Sequence, residues 1–290
     1  MSTLKYIFIS LRPKQWIKNI LIFAALIFSQ NILNLHSLVL SMLGFIFFSI
    51  TSGSVYILND IIDYKKDKLH PQKNKRPIAS NQLSREVAFV TFIIFTLIGL
   101  LFSFSLGFTF GLVVLSYLIL QIIYSLLLKN VAILDIFVIA FGFVLRVVAG
   151  AELISVPISS WLLICTMFLS LFLALGKRRF ELTTLDKIAT THRESLKEYS
   201  IILLDQMITV VTSSTVVAYA LYALSPETIS KFNTTNLKYS IPFVLYGIFR
   251  YLYLIYQKES GGSPEEILLT DLPLIINIIL YAVTVWLILY

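Results

Sequence analysis

The sequence predicts an all-α protein, a set of helices that crosses a membrane repeatedly, on three observations. Of its 290 residues, 58% are hydrophobic and the mean hydropathy is +0.86, more apolar sequence than a soluble domain needs. The apolar residues gather in runs that approach the length needed to span a bilayer. Nineteen of the 23 Lys and Arg fall in alternate connections between those runs, the bias that orients membrane proteins.

About nine spans are expected, near 18–35, 37–59, 85–104, 107–128, 131–152, 159–176, 200–224, 239–257 and 271–290. An odd number places the termini on opposite sides. With the amino terminus in the cytoplasm, that side collects the bases of residues 5–18, 65–85, 177–197, Lys129 and Lys258. Lys231 and Lys238 fall outside, and Arg146 and Arg250 within spans. The reading is a multi-pass inner-membrane protein with its charged loops in the cytoplasm, forming a single transmembrane domain over 1–290. No cleavable signal is expected before the first run. The one cysteine, Cys165, excludes an intrachain disulfide and a cysteine-rich metal site. A net charge of +7 does not point to nucleic acid, because the bases sit in loops beside membrane segments.

Before the first span, LRPKQWIKN at 11–19 carries a helix break at Arg12-Pro13, an interfacial Trp16, and Lys14 and Lys18, which share a face at i and i+4. A surface anchor explains it equally well. The second span runs into NDIIDYKKDKLHPQKNKRP at 59–77. If that helix continues, Asn59, Asp63 and the displaced Asp67 converge at four-residue spacing, and Asp60 adds an oxygen ligand. Carboxylates crowded at a membrane helix end repel one another unless a hard cation lies between them, and oxygen ligands suit magnesium when a substrate phosphate completes the shell. The bases that follow, including Lys73 and Arg76, suit an anion. A magnesium–diphosphate site is therefore favoured over a solvated loop of mixed charge. Tyr56, one turn earlier, lies on the Asn59 face.

Further along, YSLLLKNVAILD at 124–135 forms a short connection holding Tyr124, Lys129 and Asp135. Arg146 follows Asp135 by three helical turns, roughly 16 Å along the axis, too far for direct neutralisation. Ions within a span face a polar cavity, so Arg146 is read as an anion holder in preference to a structural partner of Asp135 or Glu152. GKRRFE at 176–181 ends the sixth span and opens a polar loop to Tyr199. Its bases serve as membrane anchors, or, with Glu181, as a second half-site that includes Lys177. His36, His70 and His192 receive no role, although His70 leads into Pro71, which is expected to end the acidic helix. Gly261-Gly262 reads as a turn before a helix start at Ser263-Pro264-Glu265-Glu266.

These motifs together resemble the UbiA-type intramembrane prenyltransferases. The spacing N-D-x-x-D-x-x-x-D after the second span carries the likeness to the superfamily. The likeness to one branch, the decaprenyl-phosphate phosphoribosyltransferases, rests on RPKQWIKN at 12–19, VYILNDIIDYKKDKLHP at 55–71, KRPIA at 75–79, YSLLLK at 124–129, FVLRVVAG at 143–150, LGKRRFEL at 175–182 and GGSPEEI at 261–267. The resemblance implies a UbiA-like bundle around a central cavity open to the cytoplasm. It also implies transfer of 5-phosphoribosyl from phosphoribosyl diphosphate to a polyprenyl phosphate lipid such as decaprenyl phosphate. Catalytic roles then fall to Asp60, Asp63 and Asp67, with Mg2+ on Asn59, Asp63 and Asp67. The donor is expected on Lys18, Tyr56, Lys73 and Arg76, and the lipid phosphate on Lys129, Arg146 and Lys177. Lys14, Tyr124, Asp135 and Glu181 are further candidates. Family members associate, and the helix faces do not decide the oligomeric state. Two rivals stay open: an aromatic prenyltransferase using a polyprenyl diphosphate, and a lipid transporter without catalysis. The first is disfavoured by GKRRFE, with only Glu181 and Asp186, where aromatic-accepting members carry a second aspartate-rich motif.

Overall fold

The computed structural model describes residues 2–70, 73–192, 194–258 and 264–290, with side chains for all of these but 2, 184–192, 194 and 265. The expected stop at Pro71, the turn at Gly261-Gly262 and the side chains of Asp186 and His192 lie outside the described residues. Among those residues the structure is helical throughout, without a strand.

Helix packing divides the chain into two compact units, Met1–Ile158 with Thr191–Ser195, and Ser159–Thr190 with Leu196–Tyr290. The first holds α1 (Ser2–Ser10), a 3-10 helix at Pro13–Leu21, α2 (Ile22–Phe28), α3 (Leu35–Ile62), α4 (Tyr64–Leu69), α5 (Arg85–Leu106), α6 (Phe108–Leu126) and α7 (Leu134–Leu153). The second holds most of α8 (Ser160–His192), then α9 (Ile201–Leu224), α10 (Pro226–Phe232), α11 (Ile241–Tyr256), α12 (Pro264–Thr270) and α13 (Leu272–Leu289).

Seven described helices are long and apolar enough to cross a membrane: α3, α5, α6, α7, α8 over Ser160–Thr183, α9 and α13. The protein is therefore a multi-pass membrane protein. The other two expected spans are built differently. Residues 18–35 are split between the 3-10 stretch and the seven-residue α2, which stops where Gln30 takes a positive φ of 58°. Residues 239–257 begin as a 3-10 turn, Asn236–Ser240, that feeds the 16-residue α11.

Two local expectations are corrected. Lys14 and Lys18 do not share a face, because Pro13–Leu21 winds as a 3-10 helix, in which positions i and i+3 eclipse and i+4 falls about 120° away. The stretch that follows GKRRFE at 176–181 does not begin as a polar loop. With no proline and many good helix formers in it, α8 continues to His192. Gly176 is a packing position, where a Cβ would come within 2.8 Å of Ile255 Cδ1.

Small residues bring the helices of the first unit together, the usual means of close approach in a membrane. Gly99 of α5 lies against Thr51 of α3, and a Cβ on Gly150 of α7 would overlap the Ile22 carbonyl. Ser54 Oγ and Thr96 Oγ1 join α3 to α5 at 2.8 Å. At the end of α3, Leu11, Ile57, Ile78, Leu83 and Ala88 form a buried cluster with Trp16 packed against it. That cluster seats the chain before Pro13 over the last turns of α3. In the second unit, Asp271 caps α13 by accepting the Leu274 N–H at 3.0 Å and takes Arg250 of α11 through two bonds of 3.0 and 2.9 Å.

Candidate functional site

The acidic stretch is one helix with a hinge. The Asp63 N–H donates to Asn59 O at 2.9 Å, and the Asp67 N–H donates to Asp63 O at 2.8 Å. Asp63 itself departs from helical geometry, with φ −87° and ψ 4°. The i→i−4 bonding therefore passes through the break, and the four polar positions keep a nearly helical register. At about 100° per residue, positions 60 and 67 align to about 20°, while 59 and 67 stand about 80° apart.

The side chains follow that register. Lys129 Nζ donates to Asp63 Oδ1 at 2.6 Å and reaches Asn59 Oδ1 at 3.5 Å. Arg76 donates to Asp60 Oδ1 at 3.0 Å and to Asp67 Oδ2 at 2.5 Å. Asp67 thus shares Arg76 with Asp60, not Lys129 with Asn59 and Asp63, because seven residues nearly close two turns. Asp60 and Asp67 are 2% and 4% exposed, so their charges depend on these partners. Burial pushes the Asp67 carboxyl above its ordinary range, Asp60 adds to the rise, and Arg76 opposes it.

Arg12 was read only as a topological charge and helix break, yet its guanidinium bonds Asp60 and lies 5.0 Å from the centre of the Tyr56 ring. It adopts φ 51° and ψ 65°, a left-handed conformation unusual for a side-chain-bearing residue and more so before proline. No spacing in the sequence signals this, since Arg12 and Asp60 are 48 residues apart. The Lys73 N–H donates to His70 Nδ1 at 3.3 Å. Lys14 is exposed, and Lys18, Tyr56 and Tyr124 are partly buried.

Lys129 sits on a 3-10 turn, Leu128–Asn130, between α6 and α7. Ser195 Oγ lies 3.1 Å from Lys129 O and 3.3 Å from Asp135 Oδ2, and both Ser195 and Asp135 are fully buried. Ser195 is another residue that sequence reasoning missed. Arg146, 4% exposed, donates through Nε to Asn19 Oδ1 at 2.7 Å, and through its terminal nitrogens to Gly142 O at 2.6 Å and Tyr117 OH at 3.0 Å. Phe48, Tyr117 and Phe143 rings surround it at 5.4, 4.8 and 5.2 Å. Neither Asp135 nor Glu152 pairs with it, and among the described residues no carboxylate neutralises it. In the second unit, Lys177 is partly buried, and Glu181 accepts from Arg178 at 2.8 Å.

No group of three or more Asp, Glu, His or Cys among the described residues is gathered as a metal nest. The donor set nonetheless fits Mg2+, which prefers oxygen and is commonly held by one or two carboxylates with substrate phosphates supplying the rest. Asn59 with Asp63, and Asp60 with Asp67, each present such a pair.

Membrane-length helices with acids and bases interleaved at one helix end make an intramembrane protein that can handle charged groups beside apolar chains. More particularly, the chain belongs to the UbiA prenyltransferase family, whose model matches residues 20–266. It is 31% identical over 275 residues to the decaprenyl-phosphate phosphoribosyltransferase of Mycolicibacterium smegmatis, covering 90% of this chain and 85% of that protein. To the enzyme of the same name from Corynebacterium glutamicum it is 31% identical over 270 residues, covering 90% and 80%. A UbiA homolog from Archaeoglobus fulgidus bound to GPP and Mg2+ shares the fold with a TM-score of 0.74 at 20% identity, over 98% of this chain and 99% of that one.

Proposed function

We propose that the protein transfers a 5-phosphoribosyl group from phosphoribosyl diphosphate to a polyprenyl phosphate, with Mg2+ on the departing diphosphate. The observation that carries this reading is the contact between Asp63 and Lys129 at 2.6 Å. It puts a carboxylate suited to a metal–diphosphate and a cation suited to a second phosphate within one ion-pair distance. The relatives' names point to the same chemistry.

In this reading Asn59 and Asp63, helped by Asp60 and Asp67, would hold the metal, whose charge would lower the barrier to losing diphosphate. Lys18, Tyr56, Lys73 and Arg76 hold the donor, and Arg12 joins them. Lys129 and Arg146 receive the lipid phosphate; a buried guanidinium with only neutral partners is an electrostatic vacancy for an anion. The lipid phosphate is already anionic, so no general base is needed, and positioning with charge neutralisation supplies the catalysis. One phosphate oxygen attacks the anomeric carbon in line, the bond to the diphosphate oxygen breaks, and that oxygen keeps the electron pair. The site faces the cytoplasm of the inner membrane, where both magnesium and phosphorylated sugars occur.

The test is an assay of purified protein with Mg2+, radiolabelled phosphoribosyl diphosphate and polyprenyl phosphates of several lengths. Label is expected in the organic-soluble lipid, with diphosphate release. Prenylation of an aromatic acid from a polyprenyl diphosphate, without label transfer, would establish the rival instead. Lipid movement without diphosphate release would establish a transporter.

A further inference from the structure

We infer that Asn19 is a positioning residue for Arg146, a neutral amide that aims the guanidinium while leaving its charge for an anionic ligand. The inference rests on the proposed role of Arg146 as a holder of the acceptor's phosphate. Asn19 is 1% exposed and lies near the end of the 3-10 stretch whose preceding residue, Arg12, reaches Asp60. Its Oδ1 accepts the Arg146 Nε–H at 2.7 Å. Its Nδ2 donates to Ser49 Oγ at 2.9 Å and Ser52 Oγ at 3.1 Å on α3. The two hydroxyls fix which way the amide faces, and the amide in turn fixes the Nε edge of the guanidinium.

The chemical type at each position around Arg146 is informative. Its acceptors are an amide oxygen, the Gly142 carbonyl and the Tyr117 phenol, and its other neighbours are ring faces. A guanidinium carries five N–H groups, and Nε with one bond from each terminal nitrogen leaves the remainder for a ligand. If Arg146 served only to tie the 13–28 segment to α7, an aspartate at position 19 would make the same Nε bond more strongly and cancel a charge that is expensive in a membrane. An amide makes the bond and cancels nothing. The same residue therefore keeps the deep cation both oriented and charged on the acceptor side.

The experiment compares Asn19→Asp, Ser49→Ala/Ser52→Ala and Arg146→Gln with the parent enzyme. Phosphoribosyl diphosphate, Mg2+ and farnesyl phosphate serve as substrates, and each variant's melting temperature in detergent is recorded. Asn19→Asp is expected to hold or raise the melting temperature, to raise the KM for farnesyl phosphate by about tenfold or more, and to leave the KM for phosphoribosyl diphosphate unchanged. The Ser49→Ala/Ser52→Ala variant keeps every charge but frees the amide to rotate, and a rise of several-fold in the same KM alone is expected. A parent-like acceptor KM in a folded Asn19→Asp variant overturns the inference, as does an equal rise in both substrates' KM. Should Asn19→Asp fail to fold, an unchanged acceptor KM in the double serine variant overturns it. If Arg146→Gln raises the acceptor KM while Asn19→Asp does not, the anion role of Arg146 stands and the role of Asn19 falls. If neither moves it, both fall.

Discussion

Asp63 occupies the residue where α3 breaks, yet its N–H still donates to Asn59 O and its carbonyl still accepts from the Asp67 N–H, so helical register delivers its carboxylate. Asp63→Asn keeps the shape and one oxygen ligand but removes the charge. Mg2+-dependent diphosphate release is expected to fall by about a hundredfold or more; turnover within a few-fold of the parent would remove Asp63 from the metal's ligands. Lys129→Ala removes the cation paired with Asp63 while keeping every carboxylate. Its expected effect is an acceptor KM raised about tenfold with the donor KM little changed, measured with farnesyl phosphate as the varied substrate. Equal loss toward both substrates would make Lys129 a counterion of Asp63 alone.

Elements take their positions from caps and small residues more than from hydrophobic preference, since a membrane solvates apolar faces as well as protein does. The start of α13 illustrates the point. Asp271 is held by Arg250 and by the Leu274 N–H, and the Arg250 hydrogen bonds depress its carboxyl below the ordinary value, with burial opposing them. Asp271→Ala removes the cap, which alone is worth about 0.5–2 kcal/mol, so a lower melting temperature in detergent is expected. The pH dependence has a definite sign. A depressed carboxyl contributes stability fully above its unfolded pKa of about 3.9 and loses it as pH falls through the lower folded value. The gap in melting temperature between parent and Asp271→Ala is expected to close in that acidic window and to be constant above about pH 5. The 3-10 stretch at Pro13–Leu21 is the element least legible beforehand. Its residues are compatible with an α-helix, and its buried Asn19 bonds Ser49 and Ser52 of α3 and Arg146 of α7, partners far away in the sequence.

For the whole molecule, the charge bias is the ground on which the amino terminus and the acidic helix end are proposed to face the cytoplasm. A cysteine placed at Ser2 is expected to resist a membrane-impermeant maleimide in intact cells, and one placed at Tyr290 is expected to react, in a Cys165→Ala background. The reverse pattern would invert the topology. In-line displacement by the lipid phosphate predicts a product with inverted anomeric configuration, readable by NMR of the phosphoribosyl lipid; retention would require a covalent intermediate for which the proposed mechanism has no nucleophile.

The sequence by itself determined the membrane class and the places of most long helices. Both depend on local spacing along one chain: hydrophobic run length and the charge of the connections between runs. Only the tertiary structure decided which base meets which acid, that Arg12 joins Asp60 and that Asn19 faces Arg146. Those pairs join residues 48 and 127 positions apart, and the choice among several equally charged candidates is made by how closely the helices pack, which no periodicity in the chain records.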